Sequence, residues 1–371
     1  MPDAVLMPAP VTTRKDFSAI VRRRLSSRSR VGLSSMLDLG WRAWRLTSSV
    51  ADSFSASQNC EPSRRRLVQY PVVWPAPGVA ICVFTSGKEA LMRSFDFKQL
   101  DVFSDQLLLG NPLAVVLGAE GLTDEQMAAF ARWTNLSETT FLLKPTDPRA
   151  DYRVRIFTTL EELPFAGHPT LGSCHAWLES GGVARGEEII QECGIGLVRI
   201  RREGSGLAFT APPLLRSGAV DPELIEQIRL GMKLGAGEIL DARWVDNGPG
   251  WVALRLADRA SVLRLQPDYA QLSGLKLGVV APWDPVVDGD EAQFEVRAFV
   301  PGDGMAEDPV TGSLNAGIAR WFLEEGLAPA RYVVSQGTAL GRKGRVSIQR
   351  LGDDIWVGGS TVTCIEGRVS L

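Results

Sequence analysis

From Phe95 onward the chain runs in short apolar–polar alternations broken by turn residues, and that pattern predicts strands before any motif is read. Phe95 to Val102 alternates with period two, Gly110-Asn111-Pro112 turns the chain, and Leu113 to Leu117 reads as the returning strand of a hairpin. Thr123 then stands as a helix cap ahead of Asp124 to Trp133, where acids come early and apolar residues fall at helical spacing. Asn135-Leu136-Ser137 breaks that helix and Thr139 to Leu143 returns to β character, which leaves Glu138 between helix and strand. Tyr152 to Phe157 and Phe294 to Phe299 predict two more strands, each leading into a glycine turn and a helix. Asp246-Asn247-Gly248 followed by Trp251 to Leu256 repeats the order of the early hairpin.

The same grammar occurs twice because one motif occurs twice. ELPFAGHPTLGSCHAWLESG, beginning at Glu162, aligns without a gap on EDPVTGSLNAGIARWFLEEG, beginning at Glu307. Glu162/Glu307, Pro164/Pro309, Gly167/Gly312, Gly172/Gly317 and Gly181/Gly326 coincide, whereas His168 falls opposite Ser313 and Leu163 opposite Asp308. Scaffold residues match and polar residues differ. Two similar lobes facing each other across a cleft would show this pattern, with chemistry assigned to the unmatched side chains.

Composition adjusts this picture at its ends. A chain of 371 residues, 45% hydrophobic and 22% charged, can bury a large core and is long enough for two domains. The net charge of −3 hides a split, with 13 Lys+Arg against 6 Asp+Glu in residues 1–91 and 27 against 37 in the remainder. Residues 1–91 are rich in Ser and Arg, show neither period, and read as a disordered extension or as sequence upstream of a working start at Met92. Residues 92–214 then form an N-terminal lobe and 215–371 a C-terminal lobe, whose last strand can cross back to the first. The acidic body argues against nucleic acid as a partner. No apolar run is long enough to span a bilayer. Five scattered cysteines without a CxxC pair indicate neither a disulfide framework nor a zinc site, and they fit a reducing cytoplasm.

In each repeat a glycine, Gly167 or Gly312, precedes a polar residue, His168 or Ser313, and a helix begins, with Pro169 suited to the first helical position. Two such helix starts facing one another would grip a small carboxylate, although ordinary capping, with Ser313 as an N-cap, explains each one singly. Of the two histidines, His168 is wedged in a turn, while His175 follows seven residues later and reads as packing or solvent-facing; a metal site built from the pair lacks a third ligand. Glu138, amid Leu136, Phe141 and Leu142, suits general base and acid work, and Asp308, flanked by Glu307, is a second candidate. Taken alone, Glu138 also fits a solvated loop glutamate and Asp308 a loop acid capping a turn.

At these residues the chain resembles the PhzF-like family of phenazine-biosynthesis-type isomerases and, through it, the diaminopimelate-epimerase fold. The resemblance is carried by DVFSDQLLLGNPLAVV (101–116), NLSETTF (135–141), RIFTTLEELPFAGHPTLG (155–172), EDPVTGSLNAG (307–317) and QGTALGRKG (336–344). It implies an α+β fold of two similar lobes, each a β-barrel-like sheet wrapped around a central helix, often dimeric, with the site between the lobes and neither metal nor organic cofactor. It implies that Glu138 is the catalytic glutamate, that His168, Asp308 and Ser313 line the opposite sides of the pocket, and that Ser137, Gly167 and Gly312 contact substrate. Epimerases of this fold use two thiols on the paired glycine turns; no cysteine stands in 166–168 or 311–313, so two-thiol racemisation is not expected. Thr159 stands where many relatives carry proline, with little functional effect expected.

The expected activity is a cofactor-independent isomerisation that moves a proton between carbons of a small, carboxylated, cyclic metabolite, similar to dihydro-hydroxyanthranilate isomerisation, in a cytoplasmic homodimer. Alternatives are an epimerase or racemase of another amino-acid-like compound, a catalytically silent anion-binding protein, and a nucleic-acid role confined to the basic arm.

Overall fold

The computed structural model describes residues 93–302 and 305–371, so the expectations for residues 1–91 and for Met92 lie outside the described residues. The first lobe contains β1 (Ser94–Val102), β2 (Asn111–Leu117), α1 (Asp124–Thr134), β3 (Glu138–Leu143), β4 (Tyr152–Phe157), β5 (Glu162–Leu163), α2 (Gly167–Glu179), β6 (Ile189–Cys193), β7 (Gly196–Glu203) and β8 (Gly206–Thr210). The second contains β9 (Arg216–Ala219), α3 (Pro222–Gly231), β10 (Asp241–Asp246), β11 (Trp251–Arg255), α4 (Arg259–Leu263), β12 (Lys276–Pro282), β13 (Phe294–Phe299) and β14 (Glu307–Asp308). It continues through α5 (Gly312–Glu324), β15 (Arg331–Gln336), β16 (Gly344–Leu351) and β17 (Asp354–Gly359), and β18 (Thr361–Ser370) follows.

Strand pairing makes the duplication explicit. The first lobe runs β18, β1, β2, β3, β4, β6, β7, β8, and every neighbouring pair is antiparallel except β2–β3 and β4–β6. The second runs β9, β10, β11, β12, β13, β15, β16, β17, with parallel pairs at the matching places, β11–β12 and β13–β15. After β8 the chain crosses to pair β9 with β10, and after β17 it crosses back to pair β18 with β1. With β8 also paired to β17, the lobes are halves of one compact unit.

Each sheet wraps a helix that is apolar around most of its circumference, which is why that helix is central rather than superficial. Nine residues of α2 and ten of α5 are buried. A side chain at Gly172 would lie 2.5 Å from Leu113 of β2, and one at Gly317 would lie 2.3 Å from the Val245 carbonyl of β10, so both glycines are needed for the helix to press onto its sheet. The outer faces carry amphipathic helices. Met127, Phe130 and Ala131 of α1 pack with Phe141 and Phe157, and Ile228 of α3 packs with Val252, Leu254 and Leu277.

Candidate active site

Glu138 is placed by how α1 ends. Thr123 caps α1 through a reciprocal box with Gln126, and at the other end Asn135 takes a left-handed conformation (φ 55°) that asparagine tolerates. The chain reverses there and enters β3 with Glu138 as its first residue, while the Thr134 and Thr139 hydroxyls meet at 2.9 Å and lock the corner. Antiparallel pairing of Thr139 with Phe157 and parallel pairing of Leu113 with Glu138 then fix the carboxylate at one end of the sheet.

The starts of α2 and α5 meet on the pseudo-twofold axis. A side-chain carbon at Gly167 would lie 2.7 Å from Gly312 Cα, and one at Gly312 would lie 2.8 Å from Gly167 Cα, so the two backbones touch and neither position admits a side chain. His168 and Ser313 follow directly and are buried. Pro169 is the third residue of α2, not the first as its neighbours suggest; it still lies in the first turn, where no amide donor is needed. Nor is Ser313 the cap of α5. Thr311 holds that position, and Ser313 Oγ instead accepts a 3.0 Å hydrogen bond from the Trp251 indole.

His168 Nε2 lies 3.3 Å from Glu138 Oε2, off the line of a full hydrogen bond. Burial drives the imidazole down to about 3, so it is neutral near pH 7. Asp308 sits opposite on β14, accepting from Thr311 Oγ1 at 2.5 Å, Asn111 Nδ2 at 2.8 Å and Ser137 Oγ at 3.4 Å. Burial raises the Asp308 carboxyl to about 6 against the pull of these donors, with Glu307 adding to the rise. Gln336 props the turn beneath, donating to the Asp308 carbonyl and to Thr311 Oγ1 while accepting from the Thr311 amide and from Asn315.

A cleft of about 290 Å³ opens here, lined by Ser137 and Glu138 from one lobe and by Trp251, Lys276, Asp308 and Ser313 from the other; His168, Gly167 and Gly312, expected on its walls, lie behind its lining. That volume suits a small metabolite. Thr158 to Glu161, including Thr159, also line it, which gives Thr159 a wall position that the sequence reading had discounted. His175 lies apart from this cleft, paired with Glu179 at 3.1 Å beside the buried Lys98. Among the described residues no group of three or more His, Cys, Asp or Glu is placed to hold a metal, and no helix is long and apolar enough to cross a membrane.

Four residues of the site escape a reading of local pattern. Asn111 is read there only as a turn residue, yet it is fully buried and reaches both His168 and Asp308. Gln336 opens a quoted motif without a role, and Trp251 reads only as a strand residue. Lys276 is equivalent to Glu138 by register, since β11 and β12 pair Trp251 with Lys276 as β2 and β3 pair Leu113 with Glu138. Aligning the two hairpins on strand order would have exposed that last pair.

A family model described as phenazine biosynthesis-like protein matches residues 100–367. Antisense-enhancing sequence 1 of Schizosaccharomyces pombe is 36% identical over 298 residues, covering 75% of this chain and 99% of that protein. Trans-2,3-dihydro-3-hydroxyanthranilate isomerase of Pseudomonas aeruginosa is 31% identical over 285 residues, covering 73% of this chain and 98% of that enzyme. A crystal structure of a phenazine biosynthesis protein of the PhzF family from Enterococcus faecalis shares the fold, with a TM-score of 0.63 at 23% identity over 75% of this chain and 100% of that one.

Proposed function

Because the chain belongs to the phenazine biosynthesis-like family and is an isomerase, we propose that it moves a proton between carbons of a small, carboxylated, cyclic metabolite, with Glu138 as the base that takes the proton and returns it. The observation that carries this reading is the placement of Glu138 on the wall of a cleft closed on its far side by Asp308, Ser313 and Lys276. In the proposed reaction the Glu138 carboxylate removes a proton from one ring carbon, and the electron pair left behind delocalises into the conjugated system. The resulting carboxylic acid then protonates a second carbon, giving an enol that relaxes to the ketone. No oxidation state changes, so no redox group is called for, and one carboxylate that alternates between base and acid suffices. His168 orients that carboxylate. The amides at the starts of α2 and α5 favour negative charge building up on the substrate. Lys276 receives its carboxylate.

A second reading draws on Asp308. A titratable carboxyl held near 6 on the opposite lobe is what a two-base epimerase would need, with Glu138 working one face of the substrate and Asp308 the other. One experiment separates them: a panel of carboxylated metabolites, including trans-2,3-dihydro-3-hydroxyanthranilate, is incubated with the protein in deuterated water and followed by NMR. A product whose hydrogen has moved to a new ring carbon, with or without deuterium, supports isomerisation, inversion at a single carbon supports epimerisation, and binding with neither product nor exchange removes both. A homodimer in the cytoplasm, cofactor independence, and a lobe boundary at residue 215 belong to the same proposal. Light scattering coupled to size-exclusion chromatography tests the assembly.

A further inference from the structure

Asn111 occupies the first position of β2 with no exposed surface. Its Nδ2 lies 2.8 Å from Asp308 Oδ1, 2.9 Å from the Val310 carbonyl and 3.3 Å from His168 Nδ1. The first two neighbours are acceptors and settle which end of the amide is nitrogen, because turning it over would press Oδ1 against two oxygens. The two N–H protons serve these nearer oxygens, and His168 Nδ1 shares one of them at longer range; because an amide nitrogen cannot accept, a proton on Nδ1 would face N–H with no acceptor, so Nδ1 presents its lone pair. The single proton of a neutral imidazole therefore sits on Nε2, the atom 3.3 Å from Glu138 Oε2.

We infer that Asn111 is a positioning residue: it selects the Nε2–H tautomer of His168, which turns an N–H rather than a lone pair towards the Glu138 carboxylate, and it ties the same arrangement to Asp308 across the lobe junction. The inference rests on the proton-transfer reading for its purpose and on geometry alone for its content. The duplication isolates it. Two positions before Leu113 the first lobe has Asn111, and two positions before the register-equivalent Trp251 the second has Pro249, which carries no side-chain donor. Only one lobe holds a histidine at this point of the repeat, and only that lobe supplies the amide that orients it.

The test uses the full chain labelled with ¹⁵N-histidine. Two histidines give a readable spectrum, and His175→Gln assigns the signals. Long-range ¹H–¹⁵N correlations of the wild-type protein between pH 6 and 8 should show His168 protonated at Nε2 alone. Asn111→Leu keeps the approximate size but removes the donor, so His168 is released from Nε2–H and should populate the Nδ1–H tautomer. In that variant kcat for the exchange reaction should fall on the order of 10- to 100-fold with KM within a few-fold, while Asn111→Ser, which retains one donor, recovers part of the loss. Nδ1 protonation in the wild-type protein overturns the inference even if no variant folds. So does an Asn111→Leu protein that keeps the Nε2–H tautomer alone and full kcat. The tautomer is read without substrate, so a chain that neither converts nor exchanges a proton of any panel metabolite defeats the proton-transfer reading while the spectrum still decides this one.

Discussion

At three matched places of the duplicated scaffold the first lobe carries Glu138, Leu163 and His168, and the second carries Lys276, Asp308 and Ser313. Backbone geometry is shared down to the sequence of parallel and antiparallel pairs, and the two helix starts touch through Gly167 and Gly312. Repetition therefore conserves what close packing demands of the backbone. It leaves free the side chains that project into the cleft, so each wall carries its own charge. The proposed mechanism depends on that inequality, with a base on one wall and a cation and a second carboxyl on the other.

The most severe break removes the unmatched base. Glu138→Gln keeps the shape of the cleft and should lower the exchange rate by about 10²- to 10⁴-fold while ligand affinity stays within about tenfold; unchanged turnover would take Glu138 out of the reaction. A break in the matched part should instead be read in stability. In Gly312→Ala the new carbon meets Gly167 backbone at 2.8 Å, and neither helix start can rotate aside as a side chain would, so urea unfolding should report a loss of about 1–3 kcal/mol. A fully stable Gly312→Ala protein would mean that the lobes slide past one another freely.

A milder change tests the charge on the second wall. Lys276 is the one cation among the described residues lining the cleft, and it also has an interaction within the chain. Lys276→Met should weaken 3-hydroxyanthranilate on the order of tenfold and leave 2-aminophenol, which lacks the carboxylate, unaffected. Equal losses for both compounds would show that only packing was disturbed.

The smallest expected effect concerns pH. His168 is held down to about 3, so the unfolded chain takes up a proton near 6.5 that the fold refuses, and stability is lost as pH falls from about 6.5 towards 3. Asp308, pushed up to about 6, has the opposite sign: the unfolded chain releases its proton near 4, and stability is lost as pH rises from there through about 6. The two partly cancel between pH 4 and 6. Asp308→Asn should flatten the loss on rising pH and His168→Asn the loss on falling pH, each by up to about 1.4 kcal/mol per pH unit within its window in midpoint titrations with urea. A wild-type stability curve that neither substitution reshapes would remove both groups from the balance.

Much of the fold was legible in the residues because local pattern encodes local structure. Tyr152–Phe157 and Phe294–Phe299 are strands with the ends their alternation predicts, and Thr123 and Asn135 bound α1 as cap chemistry requires. The α+β class and the two similar lobes followed from the gapless repeat and the family resemblance together. His168, Asp308 and Ser313 were also nameable as candidates, since an unmatched residue within a scaffold match stands out, and Glu138 was nameable from its apolar neighbours and the resembling motif at 135–141.

What the tertiary structure decided is everything that depends on residues far apart in sequence. Asn111 reads as an ordinary turn residue until folding brings it to His168, 57 positions away, and to Asp308, 197 positions away. Lys276 has no local mark at all and becomes the counterpart of Glu138 only through strand register. Periodicity and capping act over a few residues, so sequence alone specifies elements and their order. The direction of a proton on an imidazole is set by whichever donor the fold places beside it, and that placement exists only once both lobes have closed on the glycine contact.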